Sequence, residues 1–182
     1  MALLDDNRLF PIDPMLRDRA RALYNELRDL PIISPHGHTD PKWFAKNQAF
    51  QNPAELFVTP DHYVFRMLHS QGIPLEAMGV PCADGGETEQ DPRKIWRLFA
   101  ENFYLFRGTP SRIWIEHAFQ QVFGIDMRLS GETADTIYDQ TAACLPQPAF
   151  RPRALFERFG IEALSTTESA LDDLHWHNMI RD

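Results

Sequence analysis

At 182 residues, 43% apolar and 24% charged, the chain has the composition of a soluble globular protein and the length of one large domain or of a piece of a larger one. Its formal net charge of −8 gives no electrostatic support to a nucleic-acid or anionic-membrane partner. Cys82 and Cys144 stand far apart without metal or redox spacing, and no signal-like or membrane-spanning apolar run is present, so a reducing cytoplasm is expected.

In chain order, Asp13-Pro14 pairs an N-cap with a proline at the first helical position. The helix it opens carries an apolar stripe of Leu16, Ala20, Leu23, Tyr24 and Leu27 and stops at Pro31. A strand is expected over 31–38. Residues 43–57 read as irregular or short-helical with a break at Pro53. Thr59-Pro60 repeats the cap-then-proline signature and predicts a helix to about Ser70, ended by Gly72 and Pro74. Residues 81–90, with Gly85-Gly86 and several acids, predict an exposed loop. Asp91-Pro92 and Thr109-Pro110 open two further helices, and Gly124 closes the second. Trp96, Phe99, Phe103 and Trp114 recur at helical spacing and are expected in a core. Ser130 is positioned to cap a helix over 132–143. A proline-punctuated loop then leads to a short helix ending at Gly160, a second strand over 161–166, and a last helix from about Leu171.

The stretch Ile32-Ile33-Ser34-Pro35-His36-Gly37-His38 organises the rest. If the strand runs through His38, alternation puts both imidazoles on one face at its C-terminal tip. Two imidazoles one pleat apart suit a shared divalent metal, and strand tips line the active-site mouth of parallel barrels. The alternative is a loop after Pro35 with two solvated histidines. His175 and His177 repeat the spacing on a predicted helix, where such positions diverge, and are assigned no metal.

Two strands more than a hundred residues apart make no stable sheet alone, and a parallel pair needs a crossover, here a whole helical subdomain. The sequence therefore predicts the opening part of a larger α/β protein, mostly helical in these 182 residues.

The chain resembles the uronate (glucuronate) isomerases of the amidohydrolase superfamily. The resemblance runs in order through Leu30-Pro31-Ile32-Ile33, His36-Gly37-His38 and Asp40-Pro41, then Asp61-His62-Tyr63 and Arg66. It continues through Gly108-Thr109-Pro110, Trp114, Phe123-Gly124-Ile125, Thr166-Thr167, Asp172-Asp173-Leu174 and His177. Gly37 stands where a cysteine is frequent, Glu168 where aspartate is usual and Ala170 where proline is usual. None of these removes a metal ligand.

The resemblance implies a distorted (β/α)8 barrel with a large helical insertion after its first strand. Residues 1–40 would hold the first helix and strand, 41–160 the insertion, and 161–182 the second strand and following helix. A complete barrel takes about 250 residues or more, so further ligands, a histidine and a late-strand aspartate, and a substrate-binding arginine are expected outside this chain. Alone, it is expected to be weakly active or inactive.

The implied reaction moves a proton between C2 and C1 of a hexuronate through an enediol. D-glucuronate would become D-fructuronate, and D-galacturonate would become D-tagaturonate. His36 and His38 are the implied metal ligands, with zinc or another late first-row ion as cofactor. His62 and Tyr63 are the implied acid/base pair, placed in a helix first turn whose free N–H groups favour an anionic sugar acid. Arg66, one turn on, would grip the substrate carboxylate, with a surface salt bridge as the alternative. Expected partners are the small-molecule uronate and either further copies of the chain or the remainder of its barrel. A metal-dependent hydrolase using the same two histidines and a non-catalytic helical interaction module are the competing readings.

Overall fold

The structure is a computed structural model that describes residues 3–181. It is an α/β arrangement dominated by helices, and it divides into two compact units. One comprises residues 3–5 and 50–146 and is helical; the other comprises 6–49 and 147–181 and carries both strands. Residues 41–49 and 147–160, expected with the helical insertion, thus lie in the strand-bearing unit.

The cap-then-proline signature accounts for most helix starts. In α1 (Pro14–Leu27), α2 (Pro41–Lys46), α3 (Pro53–Phe57), α5 (Pro92–Glu101) and α6 (Pro110–His117), a side-chain oxygen of the preceding Asp, Asn or Thr accepts an N–H of the first turn. α4 departs from the expectation. It spans His62–His69, and its cap is Asp61, whose carboxylate accepts both the Tyr63 and the Val64 N–H. Thr59 instead donates its hydroxyl to the Met78 carbonyl, 2.9 Å away. Two capping residues two positions apart competed, and the carboxylate that takes two donors prevailed.

Two other boundaries move for similar reasons. α7 covers Ala134–Cys144 without a side-chain cap. The Thr133 hydroxyl bonds back to the Arg128 carbonyl and accepts the Ser130 N–H, closing a turn where Ser130 was expected to start the helix. The last helix, α9, covers His175–Arg181. Asp172 and Asp173 each accept the N–H two residues on, and Leu174 takes φ 55°, so the chain turns before it can coil.

The helical unit contains α3 to α7 and a continuous core. Trp96, Phe99, Phe103, Phe106 and Phe119 are fully buried, with neighbouring rings 5.4–6.1 Å apart. The Trp96 indole donates to the Ala134 carbonyl at 2.9 Å, satisfying its one polar atom. Trp114 is a correction: it is 59% exposed. Ile115 and Phe119, four apart, take the inward face where α6 passes into a π-turn over Ala118–Val122, and Trp114 is rotated away from it.

In the strand-bearing unit, β1 (Ile32–Ser34) and β2 (Ile161–Leu164) pair in parallel, as the sequence predicted, though both are shorter than expected. Ile32 faces Ile161, and after one irregularity Ile33 faces Ala163 and Ser34 faces Leu164. Gly160, at φ 63°, turns the end of α8 (Pro152–Arg158) into β2. Phe44 of α2 meets Phe156 of α8 edge-on at 5.9 Å, and Arg153 donates to the Phe44 carbonyl at 2.8 Å, closing the end of α2. No helix among the described residues is long and apolar enough to cross a membrane.

Candidate active site

β1 ends at Ser34, so pleat alternation is not what aligns the two histidines. The chain bends at Pro35, and His36 and His38 stand exposed in the segment before α2. They converge nonetheless. His36 Nε2 lies 3.1 Å from His38 Nε2, and the rings stand 4.9 Å apart at 81°. Beyond β1, Asp40 caps α2 by accepting the Lys42 N–H at 2.8 Å.

The spacing fits joint ligation. Two imidazole nitrogens each about 2.0–2.1 Å from one ion stand about 3.3–3.4 Å apart in a tetrahedral set and about 2.9 Å apart in an octahedral one. The 3.1 Å separation falls between these, and a neutral imidazole at each position is the donor chemistry that late first-row ions take. Among the described residues no group of three or more His, Cys, Asp or Glu side chains gathers to hold a metal, so this pair contributes two donors.

His62, Tyr63 and Arg66 belong to the helical unit, whereas His36 and His38 belong to the strand-bearing one. Within α4, His62 and Tyr63 occupy the first turn, their rings 4.2 Å apart. Tyr63 is 53% exposed and meets the edge of Trp114 at 6.5 Å, which gives exposed Trp114 a role beside the first turn rather than in the core. Arg66 is exposed. Among the described residues of the helical unit, ion pairs join Arg93 and Arg97 to Asp135, Arg93 to Asp139, Lys94 to Glu89 and Arg112 to Glu116.

The histidines of α9 do diverge. His175 stacks edge-on with Trp176 at 4.7 Å. His177 Nε2 lies 2.8 Å from Thr166 Oγ1, and the Thr166 hydroxyl donates to Glu168 at 2.9 Å, so the imidazole N–H is the donor to Thr166. Thr166 and His177 of this cluster line a cleft of about 510 Å³ together with Phe44, Phe156 and Ile180. Sequence reasoning missed it, because the histidine is eleven positions from the threonine and no spacing rule connects them. The Cys82 thiol donates to the Glu76 carboxylate at 3.0 Å, which pushes its pKa up to about 11 and disfavours the thiolate.

A family-wide profile of glucuronate isomerase matches residues 10–182. The chain belongs to the glucuronate isomerase family. It is 57% identical over its whole length to a uronate isomerase of Mesorhizobium japonicum, of which it covers 39%, and 56% identical to one of Rhizobium meliloti, of which it covers 38%. The crystal structure of glucuronate isomerase from Caulobacter crescentus superposes on all of the chain with a TM-score of 0.92 at 53% identity, and 38% of that protein is covered. Uronate isomerase from Thermotoga maritima gives a TM-score of 0.82 at 28% identity. The chain therefore spans rather more than a third of the length of the relatives it matches, from their N-terminal portion.

Proposed function

We propose that this chain is the N-terminal part of a uronate isomerase that interconverts an aldose hexuronate and its 2-keto isomer. D-glucuronate with D-fructuronate, and D-galacturonate with D-tagaturonate, are the substrate pairs, used in sugar-acid breakdown in a reducing cytoplasm. The observation that carries this reading is the match of residues 10–182 to glucuronate isomerase. The rest of the protein would complete a (β/α)8 barrel around β1 and β2, with the tips of those strands at its mouth.

His36 and His38 are the chain's contribution to a divalent-metal site, zinc being the ion their nitrogens suit. Bound there, the ion would act as a Lewis acid toward charge that develops on the substrate oxygens. Proton movement falls to the first turn of α4. The Tyr63 hydroxyl and the His62 imidazole are the groups that would take a proton from C2 and return one at C1. Arg66 lies three residues beyond Tyr63 and four beyond His62, on the same side of the helix, and its guanidinium suits a two-pronged grip on the hexuronate carboxylate. The Asp61-His62-Tyr63 run belongs to the ordered resemblance to the isomerases and on that ground favours isomerisation over metal-assisted hydrolysis.

The test replaces the matched N-terminal portion of the Caulobacter crescentus enzyme with this chain and measures D-glucuronate isomerisation. The chimera should turn over glucuronate, and His36→Ala or His38→Ala should abolish it. Tyr63→Phe keeps the ring and should lower kcat by roughly 10²–10⁴, with KM moved much less, as for a group acting in the transition state. A folded chimera without isomerase activity sinks the reading. A Tyr63→Phe chimera with unchanged kcat reduces Tyr63 to a packing residue.

A further inference from the structure

Between the Cα atoms of His36 and His38 lie two peptide units, and each is held at its carbonyl by a hydroxyl. Ser34 Oγ donates to the His36 carbonyl at 3.1 Å. Thr167 Oγ1, just past the end of β2, donates to the Gly37 carbonyl at 2.8 Å. The backbone below is tied as well, since the Ser165 N–H donates to the Ser34 carbonyl at 2.9 Å. The first hydroxyl is local. The second arrives from a residue 130 positions on, across the β1–β2 pairing.

The Gly37 peptide needs such a tie. Glycine explores more backbone conformations than any other residue, so a His-Gly-His segment is the loosest possible linker for two side chains that must meet. The strand cannot supply the order, because β1 ends two residues before His36. A Cβ at Gly37 would stand 3.1 Å from the Ser165 carbonyl oxygen and 3.4 Å from Leu164 Cδ1, so a side chain there would need the Ser165 carbonyl to give by a few tenths of an ångström. The hydroxyl of Thr167 therefore supplies the constraint that a side chain at 37 would otherwise give.

We propose that Thr167 is a positioning residue for the metal site: its hydrogen bond to the Gly37 carbonyl fixes the peptide that carries His38 and so holds the two Nε2 atoms at ligating separation. The inference rests on the reading of His36 and His38 as joint ligands. Outer contacts that orient ligands typically change metal affinity 10–100-fold when removed. Thr167 is exposed, so removing its hydroxyl opens no core cavity.

The experiment compares the chain as it stands with Thr167→Val, Thr167→Ser and His36→Ala. Three quantities are measured: zinc affinity by calorimetry, the nuclear Overhauser contact between the His36 and His38 ring protons, and the melting temperature. Thr167→Val should lose the ring-to-ring contact and bind zinc about 10–100-fold more weakly at an unchanged melting temperature. Thr167→Ser, which keeps the hydroxyl, should retain both. A merely structural threonine would shift the melting temperature and leave the ring contact in place.

Retention of the ring contact and of wild-type affinity in Thr167→Val overturns the inference. So does an equal loss in Thr167→Ser, which would assign the effect to the methyl group. Failure of the underlying reading looks different. Wild type and His36→Ala would then give the same zinc isotherm, while the ring contact would still decide whether Thr167 holds the pair.

Discussion

The two units of this molecule obey the same rules of sequence and bury themselves to very different degrees. In the helical unit, α5 buries its apolar stripe: Ile95, Trp96 and Phe99 are all 6% exposed or less. In the strand-bearing unit, α1 has an equally regular stripe, yet Leu16 is 56%, Leu23 70% and Leu27 60% exposed, and no residue of that helix is buried. The strands behave alike, with Ile33 66% exposed. Periodicity thus tells which face of an element is apolar and leaves open whether that face is covered. The helical unit closes its core with residues from its own span, 50–146, whereas the strand-bearing unit presents apolar faces suited to further strands and helices. The proposed metal ligands lie on that second unit.

The contrast is most exposed to refutation through matched truncations. Phe99→Ala removes a fully buried ring with three aromatic neighbours and should cost about 3–5 kcal/mol of unfolding free energy. Leu23→Ala, on the uncovered stripe of α1, should change stability by no more than about 0.5 kcal/mol. Urea unfolding followed by tryptophan fluorescence and by far-ultraviolet circular dichroism reads both. Comparable losses would show that the stripe of α1 is covered in solution, and the distinction between the units would fall.

Much of this organisation was legible in the sequence, and the failures share a physical cause. Asp13, Asp91 and Thr109 cap as expected because each is the one good capping residue before its proline. Asp61 displaced Thr59 as the cap of α4, and the turn closed by the Thr133 hydroxyl left α7 without the side-chain cap expected from Ser130; in both places only three-dimensional geometry could choose. The positive φ of Leu174 gave no sign, since leucine seldom adopts it. The pairing of His36 with His38 was anticipated on the grounds of strand alternation. It arises instead from a short loop tied down at two carbonyls. The tie from Thr167 had no local signature, because a contact across 130 residues leaves no mark on spacing. The metal was read from the His36-Gly37-His38 spacing together with the resemblance, whereas the acid/base roles and the complete barrel came from the ordered family resemblance, and all stand as proposals.

A smaller effect of opposite sign sharpens the description of the helical core. Thr141, on the inner face of α7, is fully buried, and its hydroxyl has no hydrogen-bond partner. A buried hydroxyl without a partner carries a desolvation cost of about 1–3 kcal/mol. Thr141→Val keeps the branched shape and replaces the hydroxyl with a methyl group, so the protein should gain on the order of 1 kcal/mol and melt a few degrees higher. The same exchange at Thr167 should leave stability nearly unchanged, because that residue is exposed and water can take over the Gly37 carbonyl that its hydroxyl releases. A destabilised Thr141→Val would mean that the hydroxyl has a partner in solution and that the core of this unit is less dry than its burial indicates.

The smallest predicted effect lies at the rim of the same core, where α5 and α7 meet. Arg97 donates to both oxygens of Asp135, at 3.0 and 2.7 Å, and Arg93 binds Asp139 and approaches Asp135 at 3.8 Å. The hydrogen bonds from Arg97 are the main reason that the Asp135 carboxyl is held below its usual range; burial opposes them, and the nearby charges of Arg97 and Arg93 add smaller lowering effects. A carboxyl whose folded-state pKa is depressed contributes stability that is fully present above its unfolded value. That contribution is lost as the pH falls through the ordinary carboxylate range toward the lower folded-state value. Both partners are about half exposed, so water and salt screen the pair and its share of the stability is small. The α5–α7 pairing should therefore loosen gradually under acid rather than at neutral pH, and Arg97→Met should flatten that limb of the curve while leaving the neutral-pH melting temperature nearly unchanged. Melting temperatures from neutral pH down through the carboxylate range, at low and at high salt, measure it. An unaltered acid limb in Arg97→Met would shift the acid sensitivity of this unit to other carboxyls held low, such as Glu89, which accepts the Gln90 and Asp91 N–H groups at the start of α5.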